Sequence, residues 1–116
     1  MTRSVKLYFG DILRATDRIE KYTKSFIFDK FRKDDKTIDA VVRNLHVIGE
    51  ATKNIPADIR ARHGEIPWRE IIAMRNMLIH EYFGIDIEIL WKTVSEDIPD
   101  FKKQLIALMK SEGIGK

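Results

Sequence analysis

Residues 67 to 80 read Pro67-Trp68-Arg69-Glu70-Ile71-Ile72-Ala73-Met74-Arg75-Asn76-Met77-Leu78-Ile79-His80. Proline suits the first turn of a helix, where its missing N–H is not needed, and Glu70 three residues on favours the positive end of the helix dipole. The run therefore predicts a helix from Pro67 to about His80. Ile71, Ile72, Ala73, Met74, Met77, Leu78 and Ile79 cover most of its circumference, so it must be buried on several sides. A small chain cannot easily cover every face of such a helix, and a subunit interface is a natural way to bury the remainder.

The helices around it are striped. From Val5 the apolar residues recur as Tyr8, Ile12, Ala15, Ile19, Tyr22 and Phe26, in alternating steps of three and four that mark one buried face of a long first helix. Aromatic Phe26 and Phe28 and the charged run Lys30 to Lys36 suggest a short helix or turn. Ile38, Val41, Val42, Leu45 and Ile48 then restart the period, predicting a second long helix from about Thr37 to Asn54. Ile55-Pro56 ends or bends it, and Asp58 to His63 can make one or two further turns. Beyond the central run, Gly84 breaks the helix and Asp86 is a plausible cap. Ile87, Leu90, Trp91 and Val94 begin a last helix, interrupted at Pro99 and resumed through Phe101, Leu105, Leu108 and Met109. No period-two strand pattern, repeat or long linker occurs. The expectation is an all-α, antiparallel four- to five-helix bundle forming a single domain over residues 1–116, homodimeric, with a frayed tail from 111 to 116.

The bulk numbers agree. A chain of 116 residues can bury one modest core. Its net charge is +3 with a sequence pI near 9.2, but 18 acidic residues sit among 21 basic ones, which permits a nucleic-acid partner without demanding it. The absence of cysteine excludes disulfides, a thiolate nucleophile and cysteine-ligated zinc. Neither an export signal nor a membrane-spanning run is apparent, so the expected location is cytoplasmic. His46 and His63 lack ligand-like spacing to each other or to His80, and no metal or cofactor is expected.

Within the central run the strongly polar residues between Ile71 and Ile79 are Arg75 and Asn76, and His80 closes it. Polar groups on so apolar a helix need a reason. Asn76 and His80 are four apart and share a face; Arg75, five before His80, lies about 140° away, so a long arginine is needed to bring both groups to one phosphate. RNA can be cut without metal because its own 2′-hydroxyl can attack the adjacent phosphorus. Histidine can take or give a proton near neutrality, and arginine can hold the phosphate oxygens. One histidine per chain cannot easily be base and acid in the same step, whereas two copies related by a twofold axis supply both.

The run from Pro67 to Tyr82, followed by Phe83-Gly84-Ile85-Asp86, closely resembles the HepT ribonuclease toxins of the HEPN superfamily, whose R-x4-H-x-Y signature it matches completely. The resemblance extends to Val47-Ile48-Gly49-Glu50-Ala51, to Trp91 and to Asp97-Ile98-Pro99, and so covers most of the chain. It departs mildly at Ala73, where family members often carry glycine. The resemblance implies that Arg75 and His80 are catalytic, with Asn76 an auxiliary polar residue in the cleft. It also implies that Tyr82 accepts AMP from a cognate nucleotidyltransferase antitoxin of the MntA type, which silences the toxin. The expected partners are thus RNA, that antitoxin and a second copy of the chain.

Other readings stand beside these. An arginine and a histidine near a helix end can be a surface pair, and Tyr82 can be a core tyrosine with a wet hydroxyl. Glu50 either satisfies polar groups near the cleft or faces solvent. Trp68, Trp91 and the Phe26/Phe28/Phe31 group are expected in the core or an interface. Lys30, Arg32, Lys33 and Lys36 read as a solvated charged loop, whereas Arg60 and Arg62 are candidates to guide RNA. The alternative function is a non-catalytic helical subunit that binds a nucleotide or presents a surface to a nucleotidyltransferase.

Overall fold

The computed structural model describes residues 4–80 and 84–114, the side chains of Ile79 and His80 excepted. The described chain is all-α. Its elements are α1 (Val5–Thr23), α2 (Phe28–Phe31), α3 (Asp35–Lys53), α4 (Ala57–Arg62), α5 (Trp68–His80), α6 (Ile87–Lys92), a π-helical turn (Thr93–Asp97) and α7 (Ile98–Ser111). Helix α3 is central: α1 packs on one side of it and α5 on the other, while α7 packs on α1. The core runs through Phe9, Ile12, Ile19, Phe31, Val41, Leu45, Ile48, Phe101, Leu105 and Leu108. Burying one such large apolar side chain contributes about 1.5–3 kcal/mol, which is why these stripes, and not the caps, hold the bundle together.

The helix starts are built as the residue types allow. Ser4 accepts from Lys6 N at the head of α1, and Asp34 accepts from Thr37 N at the head of α3. Asp86 caps α6 as expected, its carboxylate accepting from Glu88 N and Ile89 N. Pro67 stands just before α5 instead of inside it, and its carbonyl accepts from Ile71 N.

Four expectations are corrected. The first stripe does not run to Phe26 within one helix, because α1 ends at Thr23 and Ser25 takes a positive φ of 71°. Phe26 then reaches the core from the turn. Tyr22, placed on the buried stripe by periodicity, is exposed, whereas Phe9 and Thr16 are buried; Thr16 satisfies its hydroxyl on the Leu13 carbonyl.

The last helix is not broken at Pro99. The missing N–H is absorbed one turn earlier, where the backbone widens into the π turn and α7 continues beyond it. The hydroxyls of Thr93 and Ser95 donate to the carbonyls of Ile89 and Trp91 in the preceding turn.

The tail is not frayed at residues 111–114. Gly113, at φ 69°, closes α7, and Ile114 N donates to Met109 O at 2.7 Å while its side chain packs on the core. Glu112 is clasped from α4: it accepts from Arg62 Nη2 at 2.8 Å and Nε at 3.0 Å, and His63 Nε2 lies at 2.7 Å. Hydrogen bonds from Arg62 first, and from His63 second, lower the Glu112 carboxyl to a pKa of about 2.

The same clasp removes Arg62 from the candidates for guiding RNA, since Asp58 and Glu112 both neutralise it. Trp68 is buried, and its indole N–H is shared between the carbonyls of His63 at 3.0 Å and Arg60 at 3.2 Å. Trp91 stacks at a tilt on Phe31 with ring centroids 4.9 Å apart, in keeping with a core role. In the charged loop, Arg32 and Lys33 are held by Asp29, and Lys30 lies over the Phe26 ring. No described helix is long and apolar enough to cross a membrane.

Candidate active site

The polar centre of the molecule lies where α3 crosses α5. Gly49 makes this crossing tight: a methyl group built on it would stand 2.2 Å from Arg75 Cβ and 2.7 Å from Cγ. Carbon atoms in contact sit about 3.5–4.0 Å apart, so only glycine lets the two backbones come this close. The closeness puts Glu50, the next residue on α3, within reach of the arginine. Arg75 Nη2 donates to Glu50 Oε1 at 2.6 Å, and Nη1 donates to Asn76 Oδ1 at 2.9 Å.

These bonds fix the guanidinium between two helices. The Arg75 side chain is 18% exposed and that of Glu50 is 48%, so the pair lies at the edge of the core with one partner facing solvent. Described residues engage two of the five guanidinium N–H groups and leave one on each terminal nitrogen without a partner among them. The fifth, on Nε, is buried without an acceptor. A buried unpaired donor costs about 1–3 kcal/mol, a cost borne at this position by the surrounding packing.

Among the predicted residues, the structure brings Arg75 and Asn76 together directly. His80 is the last residue of α5, five positions beyond Arg75, and its side chain lies outside the described residues, as does the expected Asn76–His80 contact. Tyr82 also lies outside the described residues. Both readings of Glu50 hold in part, since its carboxylate engages Arg75 while its side chain is half exposed to solvent. His46 is exposed, and His63 belongs to the Glu112 clasp. Among the described residues no group of three or more His, Asp or Glu side chains is placed to hold a metal ion.

Two openings flank this centre. A groove of about 860 Å³ runs between α5 and the α6–α7 arm, walled by Met74, Met77 and Leu78 on one side and Leu90, Ile98 and Phe101 on the other. It leaves Met74 and Met77 half-buried, Ala73 exposed and Ile89 58% exposed. A smaller cleft of about 390 Å³ lies between α1 and α3, and Glu50 lines its edge.

An all-helical bundle with its polar centre on one internal helix is thus the class that fold and site define. The family model described as Ribonuclease HepT-like matches residues 12–108. The chain belongs to the HepT-like ribonuclease family. A protein of Thermococcus cleftensis named "Probable ribonuclease HepT" is 52% identical over 110 residues, covering 95% of this chain and 100% of its own. A protein of Caldanaerobacter subterraneus subsp. tengcongensis, named as a proposed RNase, is 40% identical over 105 residues, 90% of this chain and 94% of its own. A Methanocaldococcus jannaschii protein, named both as a gamma-glutamylcyclotransferase and as a proposed RNase, is 40% identical over 110 residues that make up 50% of its length. No solved structure gives a significant match.

Gly49 and Glu50 are the residues at this crossing whose contacts with Arg75 the sequence did not reveal. A signal existed for Gly49: glycine inside a helix costs about 1 kcal/mol relative to alanine, and a close backbone approach is a common reason to keep one.

Proposed function

We propose that this protein is a metal-independent endoribonuclease acting as the toxin of a toxin–antitoxin pair, with Arg75 and His80 as its catalytic residues. The observation that carries this reading is the Arg75 guanidinium. It is held by Glu50 and Asn76, its remaining terminal N–H groups have no partner among the described residues, and it sits on the same helix as His80.

In the proposed reaction His80 takes the proton of the 2′-hydroxyl, whose oxygen bonds to the adjacent phosphorus as the bond to the 5′-oxygen breaks. The partner's His80 gives a proton to that leaving oxygen, so the products are a 2′,3′-cyclic phosphate and a free 5′-hydroxyl. Arg75 stabilises the negative charge that builds on the phosphate oxygens. The apolar groove beside α5 supports a two-copy site, since a second copy would cover Met74 and Met77 and bring a second histidine. Asn76, exposed on the same face, orients the imidazole.

Control is assigned to Tyr82 through AMP addition by a nucleotidyltransferase antitoxin. A phosphodiester two residues past His80 adds negative charge and bulk that compete with RNA for Arg75. Purified protein, shown by intact mass to be unmodified, is expected to cleave RNA in EDTA. Arg75→Ala and His80→Ala should abolish cleavage while keeping the wild-type unfolding temperature. Equal cutting by these variants would overturn the assignment. Tyr82→Phe should cut normally and escape silencing; silencing that persists in this variant would remove Tyr82 from the scheme.

A further inference from the structure

We infer that the cleft between α1 and α3 is a nucleotide subsite, which binds the part of an RNA strand flanking the phosphate held by Arg75. The inference rests on the ribonuclease reading of Arg75. It adds a site with its own residues: Arg43 and His46 on α3, with Val47 and Ala51 as an apolar floor and Tyr8 from α1 in the wall.

Three observations carry it. The cleft joins the Arg75 centre through one side chain, because Glu50 lines the cleft while its Oε1 accepts from Arg75. Arg43 and Glu50 are seven residues apart on α3, two turns and about 10.5 Å along the axis, so both stand on one face of the helix. The charge balance of the cleft is the third. Its two carboxylates are already neutralised, Asp11 by Arg14 at 2.6 Å and Glu50 by Arg75 at 2.6 Å.

Arg43 is exposed and makes no ion pair with a described residue. Several basic residues away from the cleft are by contrast held by carboxylates: Arg32 and Lys33 by Asp29, Arg62 by Asp58 and Glu112, Lys102 by Asp17 and Glu20. An unneutralised guanidinium over an apolar floor with an aromatic wall is suited to a single nucleotide, with the phosphate on Arg43 and the base against Val47, Ala51 and Tyr8. Duplex recognition would instead need a broad basic surface.

The test measures binding apart from cutting. A fluorescently labelled 2′-O-methyl RNA oligomer cannot undergo 2′-hydroxyl attack, and its affinity for the wild-type protein is read by anisotropy over a salt series. Arg43→Ala should weaken binding several-fold at low salt. It should also reduce the slope of log K against log salt by about 0.7, the change for one lost phosphate contact on a single strand. Arg43→Lys should restore the slope. Equal affinity and slope in wild type and Arg43→Ala would overturn the subsite. On cleavable RNA, Arg43→Ala should raise KM and leave kcat unchanged for long strands, and should be silent on a dinucleotide that has no flanking phosphate. An equal defect on the dinucleotide would also overturn it. If the oligomer binds as described but no RNA is ever cut, the ribonuclease reading fails and the binding cleft stands.

Discussion

Replacing Gly49 with alanine should damage the active centre far more than the fold. The new methyl carbon would meet Arg75 Cβ at 2.2 Å, and relief to ordinary contact needs a separation of at least about 1.3 Å between α3 and α5. Moved by that amount, the Arg75–Glu50 bond stretches from 2.6 Å to about 3.9 Å and ceases to be a hydrogen bond. The stability terms oppose one another: alanine gains about 1 kcal/mol in helix propensity, while overpacking costs about 1–3 kcal/mol. The net loss is about 0–2 kcal/mol, and the unfolding temperature should fall by no more than about 8 °C in a domain of this size. A displacement of about 1 Å at a catalytic group can cost about 100-fold in rate. RNA cleavage by Gly49→Ala should therefore drop by about that factor in protein that remains folded by circular dichroism. Wild-type cleavage at an unchanged unfolding temperature would refute the idea that the tight crossing positions Arg75.

Two other perturbations probe the scaffold and the assembly. The Glu112 carboxyl has its pKa lowered to about 2, against an ordinary value of 4.5, by Arg62 and His63. A depressed carboxyl contributes stability above its unfolded pKa and loses it as pH falls through the folded one. Glu112→Gln should thus unfold at a lower temperature than wild type at pH 6, with the gap closing between about pH 4.5 and pH 2; a gap independent of pH would contradict the clasp. Ala73 is exposed on α5, seven residues before His80 and so on nearly the same face. Ala73→Arg should be neutral to a monomer but should dissociate a dimer built across this face, as read by sedimentation, and should reduce cleavage with it. A fully active Ala73→Arg monomer would contradict a site made from two copies.

Much of the fold was legible because it depends on period. The stripes of α1, α3 and α7 and the near-continuous apolar surface of α5 each state which face must be buried, and the cap Asp86 acts locally. What went unread depends on neighbours in space. The end of α1 is decided at Ser25, whose positive φ is no property of serine itself. The order of residues 112–114 follows from a carboxylate meeting Arg62 and His63 some fifty positions earlier in the chain. Pro99 signalled trouble for the helix, but the π turn that resolves it lies one turn upstream, where hydroxyls could serve the carbonyls.

The same division holds at the site. Arg75, Asn76, His80 and Tyr82 are candidates that the sequence alone could name, because their spacing is a motif carried by one segment and the chemistry of arginine and histidine follows from the residue types. Only the tertiary structure decided that Gly49 admits α5, that Glu50 takes hold of Arg75, and that the two carboxylates beside Arg43 are already paired. Periodicity reports how a helix faces its core. The distance between two helices is set by the smallest side chain at their crossing, and that pairing exists only once the chain has folded.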